Sequence, residues 1–222
     1  MATPQLSIDV NSYSQIVDLG QGQLRAVART IFHQMSNGGL TLFRRLIIDP
    51  IILEYLNIRY AEKQVKGIDE NFFYYDLGVR LPNVIPGNPP PSGRNYLTEK
   101  IFSGDVSGDI GESTFVYFLT EELSIDGTKI GHLRPEKIKK HLTPDFVVWE
   151  QNTTISAFLQ SSYVLPLYAE VKSSTGMIGV KRIKDGLSQL QMVMPSGSHG
   201  LLFLLQKSRN SVYEAFLIGV KS

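Results

Sequence analysis

The chain contains no cysteine. That excludes disulfides, thiolate zinc sites and cysteine nucleophiles together, and it fits a reducing compartment such as the cytoplasm. An excess of either charge is also missing. The 22 Lys and Arg residues stand against 21 Asp and Glu, a formal net charge of +1. No overall field drives the protein onto a polyanion, so any nucleic-acid surface must be a local basic patch. Histidine is scarce, and His33, His132, His141 and His199 show no ligand-like spacing; a histidine-based metal site is not expected. No Gly-rich phosphate loop and no Gly-x-Ser-x-Gly occurs, so neither nucleotide-driven work nor a serine nucleophile elbow is indicated. The start, Met1-Ala2-Thr3-Pro4-Gln5, lacks a basic region ahead of an apolar run, and no secretion leader is expected. Residues 151–169 carry no charge, yet they are rich in Gln, Asn, Thr and Ser and include Pro166. A membrane span is therefore not expected. The glycosylation pattern Asn152-Thr153-Thr154 is read as chance.

What is present is an ordinary globular composition, 42% hydrophobic and 19% charged over 222 residues. Such a chain can bury a real core. Residues 1–20 read as loose or strand-like. Leu24, Val27, Ala28, Ile31 and Met35 recur at helical spacing over 21–36, and Asn37-Gly38-Gly39 stops that helix. A second helical run is expected over about 40–63, with a break at Asp49-Pro50. Residues 82–93 hold five of the eleven prolines and mark a loop or boundary. This divides the chain into a mainly helical N-terminal extension, 1–95, and a core, 96–222. In the core, 108–123 and 180–194 read as helices, and 144–150, 166–172, 200–206 and 212–220 as strands. Residues 127–133 read as a short strand or turn, 135–141 as a basic helical turn, and 151–165 as a hairpin or loop. This order predicts an α/β fold with a mixed central sheet flanked by helices.

Side chains alternate faces along a strand. Asp145 thus shares a face with Val147 and Trp149, and Tyr168, Glu170 and Lys172 share another. Glu170 and Lys172 emerge side by side, about 7 Å apart along the strand. Both strands are otherwise apolar, and a carboxylate there needs a reason, because an unpaired buried charge is costly. Two carboxylates converging from neighbouring strands make a hard-oxygen site that suits Mg²⁺. Such a metal neutralises phosphate charge and acidifies water. A lysine two residues away can hold that water or stabilise the transition state. Glu112 falls on the stripe of Phe115, Val116, Leu119 and Leu123, so it can point toward the same place.

The series Gly111-Glu112, Thr143-Pro144-Asp145-Phe146, Glu170-Val171-Lys172 and a later helix with Gln189-Leu190 resembles the PD-(D/E)XK nuclease superfamily. The resemblance covers roughly residues 105–207. It implies a restriction-endonuclease-like core and hydrolysis of DNA phosphodiester bonds with Mg²⁺, for which Mn²⁺ would substitute. By the same resemblance Asp145 and Glu170 bind metal, the main-chain carbonyl of Val171 completes the shell, Lys172 positions water and Glu112 assists. Gln189 or Gln191 stands for the glutamine on the helix after the third core strand. Val193 replaces the aromatic residue often found four positions after that glutamine. The superfamily serves restriction, phage defence or repair, often as dimers or within larger assemblies.

Each feature has a plainer reading. Asp145 is then a strand-edge acid, Glu170–Lys172 a solvated pair, Glu112 a first-turn acid favouring the helix dipole, and the glutamines exposed helix polars. The basic residues Lys137, Lys139 and Lys140, and Lys181, Arg182 and Lys184, contact phosphates or form solvated faces. The apolar N-terminal helices fit dimerisation, a partner or a DNA contact. The alternative function is a nuclease-fold subunit whose cleavage requires a partner. Nothing separates DNA from RNA here.

Overall fold

Two runs near the C-terminus, His199–Lys207 and Tyr213–Lys221, are buried on both faces almost end to end. Strands of that kind occupy the middle of a sheet. The computed structural model describes residues 5–49, 104–132, 144–174, 176–207 and 213–222. In chain order the elements are β1 (Leu6–Ser12), β2 (Val17–Asp18), α1 (Leu24–Ser36), β3 (Thr41–Ile48) and α2 (Gly104–Tyr117). There follow β4 (Ile130–His132), β5 (Phe146–Val148), α3 (Thr153–Phe158), β6 (Leu167–Ser174), α4 (Val180–Val193), β7 (His199–Lys207) and β8 (Tyr213–Lys221). One sheet takes all eight strands in the order β3-β1-β8-β7-β6-β5-β4, with β2 also on β8. β1 and β2 run parallel to β8, and β6 parallel to β7. The remaining pairs are antiparallel. The expected α/β class with a mixed central sheet is what forms.

Alternation along the strands feeds two cores. On one side Phe115 and Val116 of α2, with Phe118 and Leu119 of the wider turn that continues it, cover Phe146, Ala169, Val171 and Phe203. The Phe115 ring lies 5.6 Å from that of Phe146 and 5.2 Å from that of Phe203, in the tilted arrangements that aromatic quadrupoles favour. On the other side Ala28 and Ile31 of α1 and Ile183, Leu187 and Leu190 of α4 cover Leu202, Leu204, Phe216 and Ile218. β6 is therefore sandwiched between α2 and α4.

The N-terminal segment departs from expectation. Residues 41–48 form β3, the outermost strand, rather than the start of a helix. Leu46 and Ile48 are buried in alternation, while Leu42 and Ile47 face outward. The register slip between Val10 and Asn11 of β1 shifts the pleat partway along, which breaks the strand's period in the sequence. With β1 and β3 extending the central sheet, the described part of 1–95 is not a mainly helical appendage. The rest of the second helical run, the proline-rich loop 82–93 and the basic stretch 135–141 lie outside the described residues.

The loop or hairpin expected over 151–165 contains α3. Asn152 explains its start, since its side-chain oxygen accepts from the Ile155 N–H at 3.0 Å. Its amide nitrogen donates to the Leu123 carbonyl at 2.8 Å. The group a glycan would need is committed to the fold, in keeping with the glycosylation pattern being fortuitous. Among the described residues no helix is long and apolar enough to cross a membrane.

Asn152→Ala removes the cap and the bond to Leu123, and is expected to cost about 1–2 kcal/mol. Asn152→Asp, which keeps the capping oxygen, should recover about half of that. Urea denaturation reads both, and an unshifted midpoint in Asn152→Ala would contradict the assignment.

Candidate active site

β5 and β6 pair antiparallel with Phe146 opposite Ala169 and Val147 opposite Tyr168. That register brings Asp145, just ahead of β5, beside Glu170. Each carboxylate then takes a main-chain N–H from the other's strand. The Asp145 N–H donates to Glu170 Oε2 at 3.1 Å, and the Val171 N–H donates to Asp145 Oδ2 at 2.8 Å. The Lys172 ammonium donates to Glu170 Oε1 as a close ion pair. Alternation holds as expected: Leu167, Ala169 and Val171 join the core under α2, while Tyr168 packs with the α4 core.

Gly186 of α4 lies directly over the pair. A Cβ built there would stand 3.3 Å from Lys172 Cγ, 3.6 Å from Glu170 Cγ and 2.7 Å from Leu202 Cδ1. The helix approaches the strand this closely because residue 186 has no side chain. Sequence reasoning missed it, although a glycine in mid-helix is itself a signal, since it costs about 1 kcal/mol relative to alanine.

Glu170 is fully buried, so the pair is not a solvated one. Burial, and then the neighbouring Asp145 charge, push its carboxyl up to about 8, against the opposing pull of Lys172. Two adjacent carboxylates, one of them desolvated, form an electrostatically unsatisfied site that protonation or a further cation relieves. A small hard divalent cation fits this donor set, because Mg²⁺ uses one or two carboxylates and keeps water for its other positions. Asp145 and Glu170 are the side chains that would hold it, and the Val171 peptide runs between them.

The other described candidates lie on the two flanking helices. Among the described residues, no third His, Asp or Glu joins Asp145 and Glu170 in a group that would hold a metal. Glu112 is half-buried on α2, on the opposite layer from α4. It follows Gly111, where a Cβ would meet Ser173 Cβ at 2.6 Å and Val171 Cγ1 at 3.2 Å. Gln189 is half-buried one turn beyond Gly186. Gln191 is turned elsewhere, its amide donating to the Leu19 carbonyl at 2.6 Å. It therefore ties α4 to the turn before α1 and does not reach toward Lys172. Lys181, Arg182 and Lys184 are exposed on α4. Lys139 and Lys140 lie outside the described residues. Comparison with protein-family models, with curated proteins and with solved structures found no match.

The raised carboxyl of Glu170 links stability to pH. Its ordinary value is 4.5 and its folded value about 8. The fold thus favours the protonated form, and that stabilisation is complete below the lower value and lost as pH rises through the higher one. In chelator, wild-type stability should fall across this window relative to Glu170→Gln. Urea midpoints measured at several pH values check it, and parallel profiles for the two proteins would contradict the burial of an ionisable group.

Proposed function

We propose that the protein is a Mg²⁺-dependent nuclease that hydrolyses DNA phosphodiester bonds, an endonuclease of the kind used in restriction, phage defence or repair. The observation that carries this reading is the meeting of Asp145, Glu170 and Lys172 on adjacent strands, with Glu170 buried and each carboxylate held by the other's backbone. Support for a restriction-endonuclease-like core comes from the element order α2, β4, β5, β6, α4, β7. In that run β4, β5 and β6 pair antiparallel and β7 adds parallel to β6. Glu170-Val171-Lys172 lies on β6 and Pro144-Asp145 just ahead of β5, which supports the resemblance.

Asp145 and Glu170 would hold Mg²⁺ (or Mn²⁺ in its place), which would supply charge neutralisation at the scissile phosphate and a more acidic water. The chain's own part is positional. The reciprocal N–H bonds fix Asp145 and Glu170 before substrate arrives, so little reorganisation is left for the reaction. Lys172 carries three donors. While one engages Glu170, the others are available to a water or a non-bridging phosphate oxygen. Glu112 and Gln189 are kept as assisting residues.

A second reading, a subunit that cleaves only with a partner, is favoured by one feature. The outermost strand β3 exposes Leu42 and Ile47, each about half accessible at 51%. Such an edge invites pairing or covering.

The test is cleavage of supercoiled, linear and single-stranded DNA with Mg²⁺, Mn²⁺ or EDTA. Metal-dependent cutting is expected, reduced about 10²–10³-fold in Lys172→Ala, as for loss of one transition-state donor. Asp145→Asn should lose it as well. Equal cutting by wild type and Lys172→Ala would overturn the site, and an inert wild type would favour the partner-dependent subunit.

A further inference from the structure

A cleft of about 490 Å³ opens between the first turns of α1 and the outer side of α4. Gly22, Leu24, Arg25, Arg29, Lys184 and Gln191 are among the residues that line it. Three of these are cations, and all three are exposed. Among the described residues no carboxylate forms an ion pair with Arg25, Arg29 or Lys184. The arrangement is adverse for the helix that bears it. Arg25 and Arg29 stand at i and i+4, where like charges repel. Arg25 also sits in the first turn of α1, the positive end of the helix dipole, with no acidic residue there to offset it. Gln23 supplies no side-chain cap. The cleft therefore concentrates positive charge locally in a chain whose net charge is only +1.

We propose that this cleft is a second phosphate-binding site, which grips the backbone of the nucleic acid away from the point of cleavage. The proposal rests on the nuclease reading and deepens it. α4 joins the two places. Gly186 faces Lys172 and Glu170, whereas Lys184, two residues earlier, turns to the cleft. Positions two apart on a helix lie on nearly opposite sides, so the sites are separated by about one helix diameter, roughly 10 Å. A polyanion with several linked phosphates can engage both places at once, which a single phosphate group cannot. Lys181, exposed at the start of α4 and one turn before Lys184, continues the basic surface. The bond from Gln191 to the Leu19 carbonyl ties α4 to the turn before α1, beside the cleft.

The test is binding of a short fluorescent DNA duplex in EDTA, followed by anisotropy at salt concentrations from about 50 to 200 mM. Without divalent metal, binding reports the cationic surface and not the carboxylate pair. Arg25→Gln/Arg29→Gln should weaken binding about 10- to 100-fold at the lowest salt and flatten the salt slope by about 0.9 for each phosphate no longer neutralised. The charge-matched pair Arg44→Gln/Lys129→Gln, on exposed residues elsewhere, should bind as wild type does. Both changes put a good helix former or neutral polar residue at exposed positions, so the fold should tolerate them. Equal loss in the two double variants, or no binding by wild type, would overturn the cleft. Mg²⁺-dependent cutting by wild type with duplex binding indifferent to Arg25 and Arg29 would overturn the cleft and leave the catalytic reading standing. Binding that depends on both arginines, without cutting, would uphold the cleft as a backbone anchor and favour the partner-dependent subunit over an autonomous nuclease.

Discussion

A carboxylate with no access to water has to be neutralised, hydrogen-bonded or paired. Glu170 is in that position, and the structure around it answers in all three ways. Burial and the Asp145 charge raise its affinity for a proton, the Asp145 N–H binds one oxygen, and the Lys172 ammonium binds the other. Removing one partner of a buried ion pair commonly costs about 3–5 kcal/mol, because the remaining charge is stranded. The arrangement is expensive as a purely structural device, since well-packed apolar residues would serve a central strand better. It is suited to a site whose charge is completed from outside.

The fold concentrates its closest approaches on the same strand. β6 is pressed from both sides by helix glycines: Gly111 of α2 against Val171 and Ser173, and Gly186 of α4 against Glu170 and Lys172. Neither position has room for a Cβ without displacement. Two layers thereby fix the path of β6 and the directions of its alternating side chains. Pairing with β5 on one edge and β7 on the other completes that restraint. The sheet thus sets Glu170 and Lys172, and Asp145, just ahead of β5, is held by its exchange of bonds with β6.

Much of this could be read from the chain. The alternation of Leu167, Ala169 and Val171 against Tyr168, Glu170 and Lys172 is a period-two pattern, and it placed Glu170 and Lys172 on the face away from α2. The β7 and β8 runs are nearly continuous apolar stretches, which identified them as strands. Residues 41–48 were opaque for a physical reason: on an edge strand only Leu46 and Ile48 need burial, so outward Leu42 and Ile47 blur the period into one that a helix also satisfies. Within the site, the choice between Gln189 and Gln191 was not legible, because it depends on how α4 is rotated over the sheet. The bond to Leu19, 172 residues away in sequence, decides the direction of Gln191. The α1–α4 cleft was hidden for the same reason, since Arg25 and Lys184 become neighbours only through tertiary packing.

The most direct test of the central claim is calorimetric titration of Mn²⁺ into the wild type and Asp145→Asn, at pH values below and above about 8, in buffers of different ionisation enthalpy. Cation binding should strengthen with pH, release a proton on the acid side of that value as Glu170 ionises, and disappear in Asp145→Asn. Binding of equal strength in both proteins, with no proton released at any pH, would contradict the assignment of Asp145 and Glu170 as a metal-binding pair.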